Sequence, residues 1–316
     1  MNVRVVIVLF LTIIISSCSA TKEATVASKS HSNNTLGAQY IADLSSDKMH
    51  GRVIGTEGIE LAASYLEQQL AAMGISPYFS NSYRDTFIYQ SKEAYNIVAE
   101  IKSNKATNEY IIISAHYDHV QELPNNNDSI YNGANDNASG VAAVLEIGRM
   151  LQKNREDIQK NVLLVLFSGE EVVLKGSKHL AAKLKAENFN LAYVINFEMI
   201  GVPLAIGNQK ALLTGFNMSN MPSKINTTLG QEFIILDENS ERLNLFTRSD
   251  NYPFYQQFNV PSHTISTFAF ENYDYYHHVD DEIEALDLKH VEDMITLSGK
   301  VILKLLKENT AIELNK

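Results

Sequence analysis

Apolar and polar positions along the chain change rhythm several times, and each change marks an element. Between residues 37 and 73 apolar side chains recur at helical spacing: Tyr40, Ile41 and Leu44, then Leu61, Ala62, Tyr65, Leu66, Leu70 and Met73. The stretch KMHGRVIGTEG, punctuated by glycines, separates these two helices. Residues 87–90, 95–101 and 110–115 are β-branched and aromatic runs that read as strands. From there helices and strands alternate, with a helix over 138–151, an apolar strand over 162–167, a helix over 176–187 and an apolar strand over 191–197. Continuous apolar strands separated by amphipathic helices predict a parallel sheet covered on both faces. Residues 201–260 carry less pattern, with a strand near 233–236 and a turn, SDNYP, at 249–253. A last strand over 263–267 and an amphipathic helix over 289–307 close the chain.

The N-terminus departs from this plan. Arg4 precedes an apolar run over residues 5–15, the length of a signal-peptide core and short of the about 20 residues a membrane span needs. The run ends Ser16-Ser17-Cys18, and Cys18 is the chain's 1 cysteine. This resembles a bacterial lipoprotein signal, with residues 1–17 removed and Cys18 lipidated. Residues 18–36, rich in Ser, Thr, Lys and Asn, then read as a flexible tether, and 37–316 as the catalytic domain. The expected location is the bacterial cell envelope, held by the lipid anchor alone. Ser19 in place of an aspartate favours the outer membrane. A solitary cysteine leaves no internal disulfide, so the core must hold the fold.

Composition narrows the function by exclusion. The 316 residues are 45% hydrophobic and 20% charged, enough for a substantial core. The net charge of −11, with no basic stripe, argues against nucleic acid as a partner.

The chemistry gathers where strands end. His116 and Asp118 follow YIIISA, Glu170 and Glu171 follow VLLVLFSG, and Glu198 follows AYVINF. Open α/β sheets bind ligands beyond the carboxyl ends of their strands, so these residues face one rim. Asp136 joins them from a helix start within YNGANDNASG, and YDYYHHVDD offers His277 or His278. Singly, each has a plain explanation: a strand-end histidine, a helix-capping aspartate, a solvated acid pair. Together, two histidines and three or four carboxylates without cysteine suit zinc or a similar divalent ion. One carboxylate can bridge two ions about 3.5–4 Å apart.

These pieces carry a family resemblance. SAHYDHV, NGANDNASGVAAVLEIGRML, FSGEEVVLKGSKHL, NFEMIG, SDNYPF and YHHVDDE stand in an order similar to that of the zinc aminopeptidases of metallopeptidase family twenty-eight. The likeness covers about residues 38–306 and includes DKMHGRVIGTEG. It implies a single α/β domain with a mostly parallel mixed sheet, helices on both faces, and two zinc ions per chain. Asp136 would bridge the metals, His116 and Glu198 would complete one, and Glu171 and His277 the other. Asp118 would orient His116, Glu170 would take a proton from the bridging water, and Tyr276 would donate to the tetrahedral oxyanion. His277 is preferred over His278 because Tyr276-His277 with Asp281 fits the family spacing. Substrates would be peptides with a free N-terminus; oligomeric state is left open.

Three departures stand out. Glu198 replaces the usual Asp, Val173 replaces a glycine common after the Glu pair, and Asn251 stands where many relatives carry His. Two other enzymes share the fold. A single-zinc glutaminyl cyclase would need Asp136, Glu171 and His277 but not the His116–Glu198 pair. A carboxypeptidase for acidic dipeptides would need a basic pocket, with Arg52, Arg242 and Arg248 as candidates. A non-catalytic domain of this fold would be expected to lose ligands that this chain keeps.

Overall fold

The computed structural model describes residues 35–120 and 130–316; the signal-like segment, Cys18 and the tether up to residue 34 lie outside them. The Thr35 hydroxyl caps α1 (Leu36–Leu44) by accepting from Ala38 N, so the helix starts one residue ahead of the expected domain boundary. A tight turn over Asp47–Arg52 follows, and α2 (Glu57–Ala72) leads into β1 (Ser76–Pro77), β2 (Arg84–Tyr89) and β3 (Lys92–Ile101). The chain continues through β4 (Tyr110–His116), α3 (Gly140–Lys153), β5 (Asn161–Phe167), α4 (Lys175–Ala186) and β6 (Leu191–Glu198). The weakly patterned region resolves into β7 (Ala211–Leu213), α5 (Met221–Leu229), β8 (Ile234–Ile235), α6 (Glu238–Arg242) and α7 (Asn251–Phe258). β9 (Ser262–Ser266) and α8 (Leu288–Lys307) complete the fold.

The strands form one sheet in the order β1-β3-β5-β4-β6-β9-β7-β8, with β2 also paired to β3. Its centre, β5-β4-β6-β9, is parallel, while β3 and β7 flank it antiparallel. The expected parallel arrangement therefore holds for the centre, and the edges make the sheet mixed.

Side chains of the central strands alternate between two cores, as a covered sheet requires. Ile111, Ile113, Val162, Leu164 and Ile195 pack with α1, α2, α3 and α8 on one face. Ile112, Leu163, Val165 and Val194 pack with Leu180, Leu184 and Phe254 of α4 and α7 on the other. One buried polar network interrupts this plan. Asn196 accepts from Ser114 Oγ at 2.8 Å and donates to Ser249 and Thr264. Asn251 donates to the carbonyls of Phe246 and Ser262 and accepts from Thr264 Oγ1 at 2.9 Å. The residue at the relatives' histidine position is thus used to tie α7 to β9. The parallel register brings the carboxyl ends of β4, β5, β6 and β9 to one rim, with His116 opposite Phe167 and Glu198 opposite Ser266.

Candidate metal centre

The YNGANDNASG turn places Asp136 by stitching itself to the end of β6. Asn135 Oδ1 accepts from Gly201 N at 2.8 Å. Asn137 donates to Phe197 O at 2.9 Å and accepts from the N–H groups of Gly140 and Met199. Asp281 holds the turn from the far side, accepting from Asn135 N at 2.7 Å, Asp136 N at 3.0 Å and the Tyr273 hydroxyl at 2.5 Å. Gly133, at φ +58°, must lack a side chain, because a Cβ there would lie 2.3 Å from Asp136 O and 2.7 Å from the His119 ring.

Arg52, from the early GR motif, lies under this turn and is 1% exposed. Its guanidinium donates to the carbonyls of Tyr117, Leu44, Asn132 and Gly133 at 2.5–2.9 Å. Burial pulls its pKa down to about 10, and Asp281, Asp136, Asp118 and Glu171 around it work against that fall. One cation therefore clamps the end of β4 to the turn that carries Asp136.

Asp136 faces an imidazole with each oxygen. His116 Nε2 lies 3.3 Å from Oδ1, and His277 Nε2 lies 3.2 Å from Oδ2. The same His277 nitrogen is 3.2 Å from Glu171 Oε2. His116 Nδ1 lies 3.1 Å from the Asp118 backbone carbonyl, whereas the Asp118 carboxylate is 3.8 Å away. That carbonyl can only accept, so Nδ1 carries a proton and Nε2 points toward Asp136. The Asp118 carboxylate instead accepts from Glu170 N at 3.2 Å and fixes the loop of the glutamate pair. His278 is exposed and lies 3.2 Å from Asp280, outside the cluster.

Two buried residues that the sequence reading passed over belong to this neighbourhood. His119 Nδ1 is 3.3 Å from Glu171 Oε1 and 3.9 Å from Asp136 Oδ2. Its signal in the sequence is the third polar residue of HYDH, directly after the strand. Asp250 of the SDN turn is fully buried near His116, Asp118 and Glu198. Its motif, SDNYP, reads as a turn in the sequence.

The cluster is short of positive charge. Burial pushes Asp118 up to about 6, Glu198 up to about 7 and Asp250 up to about 7, and it raises Glu170 well above the usual carboxylate range. Burial would also raise Asp136, but His116 and His277 at its two oxygens hold it low. In turn, burial would lower His277, yet Asp136 and Glu171 lift it to about 10. Buried His116 Nε2, both His119 nitrogens, Glu171 Oε1, Glu198 Oε2 and His277 Nε2 lack hydrogen-bond partners. An imidazole nitrogen 3.3 Å from a carboxylate, both buried, needs a proton or a cation between them. Imidazole and carboxylate atoms of His116, Glu170 and Glu171 lie within 4.8 Å of one another, as do those of His119, Asp136 and Glu171. The donor set therefore fits divalent metal, and zinc in particular.

Two cavities meet at the cluster. The inner one is walled by the acids Asp136, Glu170, Glu171 and Glu198 and by apolar Met199, Leu212, Leu245, Phe268 and Phe270. The outer one, a groove, runs past Val173, Lys178, Thr247, Tyr252 and Gln256. Glu170, Glu171, Arg248 and Tyr276 border both. The Tyr276 ring stacks on His277 at 3.9 Å, and burial among the site's carboxylates raises its pKa, so the hydroxyl keeps its proton. Of the three arginines considered for a basic pocket, Arg52 is the buried clamp and Arg242 donates to Asn239 at 3.0 Å. Arg248 alone among the three borders the cavities.

Comparison with known proteins points the same way. The model of Peptidase family M28 matches residues 96–302. A probable zinc metalloprotease of Pyrenophora tritici-repentis is 34% identical over 105 residues, covering 33% of this chain and 24% of its own length. The probable lipoprotein aminopeptidase LpqL of Mycobacterium tuberculosis is 34% identical over 115 residues, covering 36% and 21%. The chain thus spans about a quarter or less of the length of the curated relatives it matches. The crystal structure of Porphyromonas gingivalis glutaminyl cyclase superposes with a TM-score of 0.67 at 16% identity, covering 87% of this chain and 97% of that one.

Proposed function

Since the chain belongs to Peptidase family M28, we propose that it is a zinc aminopeptidase with two zinc ions per chain, releasing the N-terminal residue of peptides. The observation that carries this reading is Asp136, whose two oxygens each face a separate imidazole at 3.2–3.3 Å. A bridging carboxylate has that form. His116 and Glu198 would hold one ion with it, and Glu171 and His277 the other. His119 stands against the second group. When bound, zinc would polarise the scissile carbonyl and lower the pKa of water.

The remaining chemistry falls to the chain's own groups. The Glu170 carboxylate takes a proton from the attacking water and passes it to the leaving amine nitrogen as the C–N bond breaks. Burial raises its proton affinity, which suits a group that must hold a proton between the two transfers. The Tyr276 hydroxyl, still protonated, donates to the oxyanion. The apolar wall of Met199, Leu212, Phe268 and Phe270 receives the side chain of the substrate's first residue.

The test pairs metal content with turnover. Aminoacyl anilides should be cleaved by protein holding two zinc ions per chain. Glu170→Gln should lower kcat by about 10²–10⁴ with zinc retained. Full activity in that variant would remove Glu170 from the role of base. The fold shared with a glutaminyl cyclase supports a second reading on Asp136, Glu171 and His277 alone. One zinc per chain, with cyclisation of N-terminal glutamine, would decide for it.

Among the described residues no helix is long and apolar enough to cross a membrane. We further propose that lipid on Cys18 anchors the protein to the cell envelope, a reading that the name of the mycobacterial relative supports. Incorporation of labelled fatty acid, lost in Cys18→Ala, tests it.

A further inference from the structure

We infer that Arg248 selects substrates carrying a carboxylate on the residue just beyond the scissile bond, so that the preferred substrates are dipeptides. This rests on the aminopeptidase reading, and it adds a substrate class to it.

Arg248 closes the short turn Leu245–Thr247, with its N–H donating to Leu245 O at 3.0 Å. The next residues are buried and pinned, Ser249 by Asn196 at 2.9 Å and Asn251 by its bonds to Phe246, Ser262 and Thr264. The arginine is therefore exposed at the edge of a rigid segment, and its backbone position is fixed. It borders both the inner cavity and the outer groove, beside Glu170 and Tyr276.

Its guanidinium is uncommitted. Arg84 holds Glu60 and Glu67, Arg149 holds Glu146, and Arg52 holds four carbonyls. Among the described residues Arg248 makes no ion pair and no side-chain hydrogen bond. The other charged groups on the inner wall are all carboxylates, in a chain of net charge −11. Two zinc ions would balance those four carboxylates, which leaves Arg248 as the free positive charge on the wall for an anionic part of a substrate. The groove's other cation, Lys178, donates to Val173 O at 3.0 Å.

The layout decides which carboxylate is read. With the substrate's N-terminus at the metal centre and its first side chain in the apolar cavity, the leaving residue lies at the junction that Arg248 borders. In a dipeptide the C-terminal carboxylate sits on that residue. Each added residue moves it about 3.3 Å further along the groove. A planar guanidinium matches a carboxylate with two parallel hydrogen bonds, which an amide terminus cannot reproduce.

The test compares leucyl-glycine with leucyl-glycinamide on zinc-loaded protein. The acid should be favoured about tenfold to a hundredfold in kcat/KM, mostly through KM. Arg248→Ala should bring the ratio near one, and Arg248→Lys should keep part of it. Equal efficiencies in the unmodified protein, or a ratio unmoved by Arg248→Ala, overturns the assignment. Calorimetric binding of both compounds to zinc-loaded Glu170→Gln protein separates this from the parent reading. Tighter binding of the acid supports Arg248 even if the unmodified protein cleaves neither compound, a failure that counts against the aminopeptidase alone. Equal binding overturns the role of Arg248.

Discussion

His116 and His277 meet the same carboxylate from supports of opposite kind. His116 ends a strand with parallel neighbours on both sides, is 1% exposed, and has its Nδ1 fixed by the Asp118 carbonyl. His277 sits on the irregular run between β9 and α8, at φ +54°, with its side chain 27% exposed. Its ring rests on Tyr276 and on the two carboxylates it faces. A non-glycine residue held in the left-handed region stores strain that its surroundings must offset. The strand side of the site is set by the fold, whereas the loop side relies on the charges it meets. Metal is therefore expected to matter more for the second than for the first.

The largest expected effect follows from charge. In chelated protein Asp118, Glu198 and Asp250 have pKa values raised by burial to about 6, about 7 and about 7. An acid with a raised folded pKa stabilises the fold fully below its unfolded value near 4 and loses that contribution as pH rises through the folded value. His277, raised to about 10, acts in the same direction: its contribution is complete below about 6.5 and is lost as pH rises through 10. Chelated protein should thus lose stability between pH 5 and pH 8. Zinc-loaded protein should not, and the gap should reach on the order of 5 kcal/mol. Denaturant titrations with and without chelator measure it. A gap that narrows with rising pH would rule out the cationic requirement of the cluster.

Next in size is the clamp on the strand side. Arg52→Met would keep volume but leave four buried carbonyls, those of Tyr117, Leu44, Asn132 and Gly133, without their donor. A cost of about 3–5 kcal/mol is expected, together with weaker zinc binding, because the Asp136 turn loses its tie to β4. Arg52→Lys should restore only part, since one ammonium cannot span four acceptors. Zinc affinity unchanged in a destabilised Arg52→Met protein would confine Arg52 to the fold.

The two histidines themselves give the direct contrast. In chelated protein His116→Ala should cost about 2 kcal/mol more than His277→Ala: each strips Asp136 of an imidazole, and only the first leaves a cavity at a fully buried strand end. His277→Ala also takes an imidazole from Asp136 and Glu171, but its side chain is 27% exposed and leaves little void. Both should weaken zinc binding by more than about a hundredfold. If the two variants destabilise the metal-free fold equally, the loop is as firmly built as the strand.

The same contrast governs what could be read from the residues. β4, β5 and β6 were visible as apolar runs because both faces of each are buried, and the acids directly after them stood out against that background. The chain from β7 to β9 was obscure because its elements are short, β7 and β8 spanning 3 and 2 residues, so periodicity had too few positions to act on. His119 and Asp250 were passed over for a different reason. Each lies in a polar turn whose burial comes from long-range packing, which no local pattern records. Arg52 was weighed as a binding residue, and only the four carbonyls closing on it reveal a clamp. His116 Nδ1 lies against the Asp118 main-chain carbonyl, while the Asp118 carboxylate accepts from Glu170 N.

The smallest expected effect lies beside the glutamate pair. Val173 stands where relatives carry glycine, and its backbone sits at φ +71° with the side chain 69% exposed. A β-branched residue in that region costs roughly 1–2 kcal/mol, and its side chain gains little from burial here. Glycine would remove that strain but add unfolded-chain freedom worth about 0.5–1 kcal/mol. Val173→Gly should therefore stabilise the protein by a net of about 0.5–1 kcal/mol, raising Tm by roughly 1–4 °C for a domain of this size. Lys178 bonds the Val173 carbonyl at 3.0 Å, a contact glycine keeps, so the loop that positions Glu171 should hold its shape. A lower Tm would mean that the valine side chain, which borders the groove, packs against something worth more than the strain it carries.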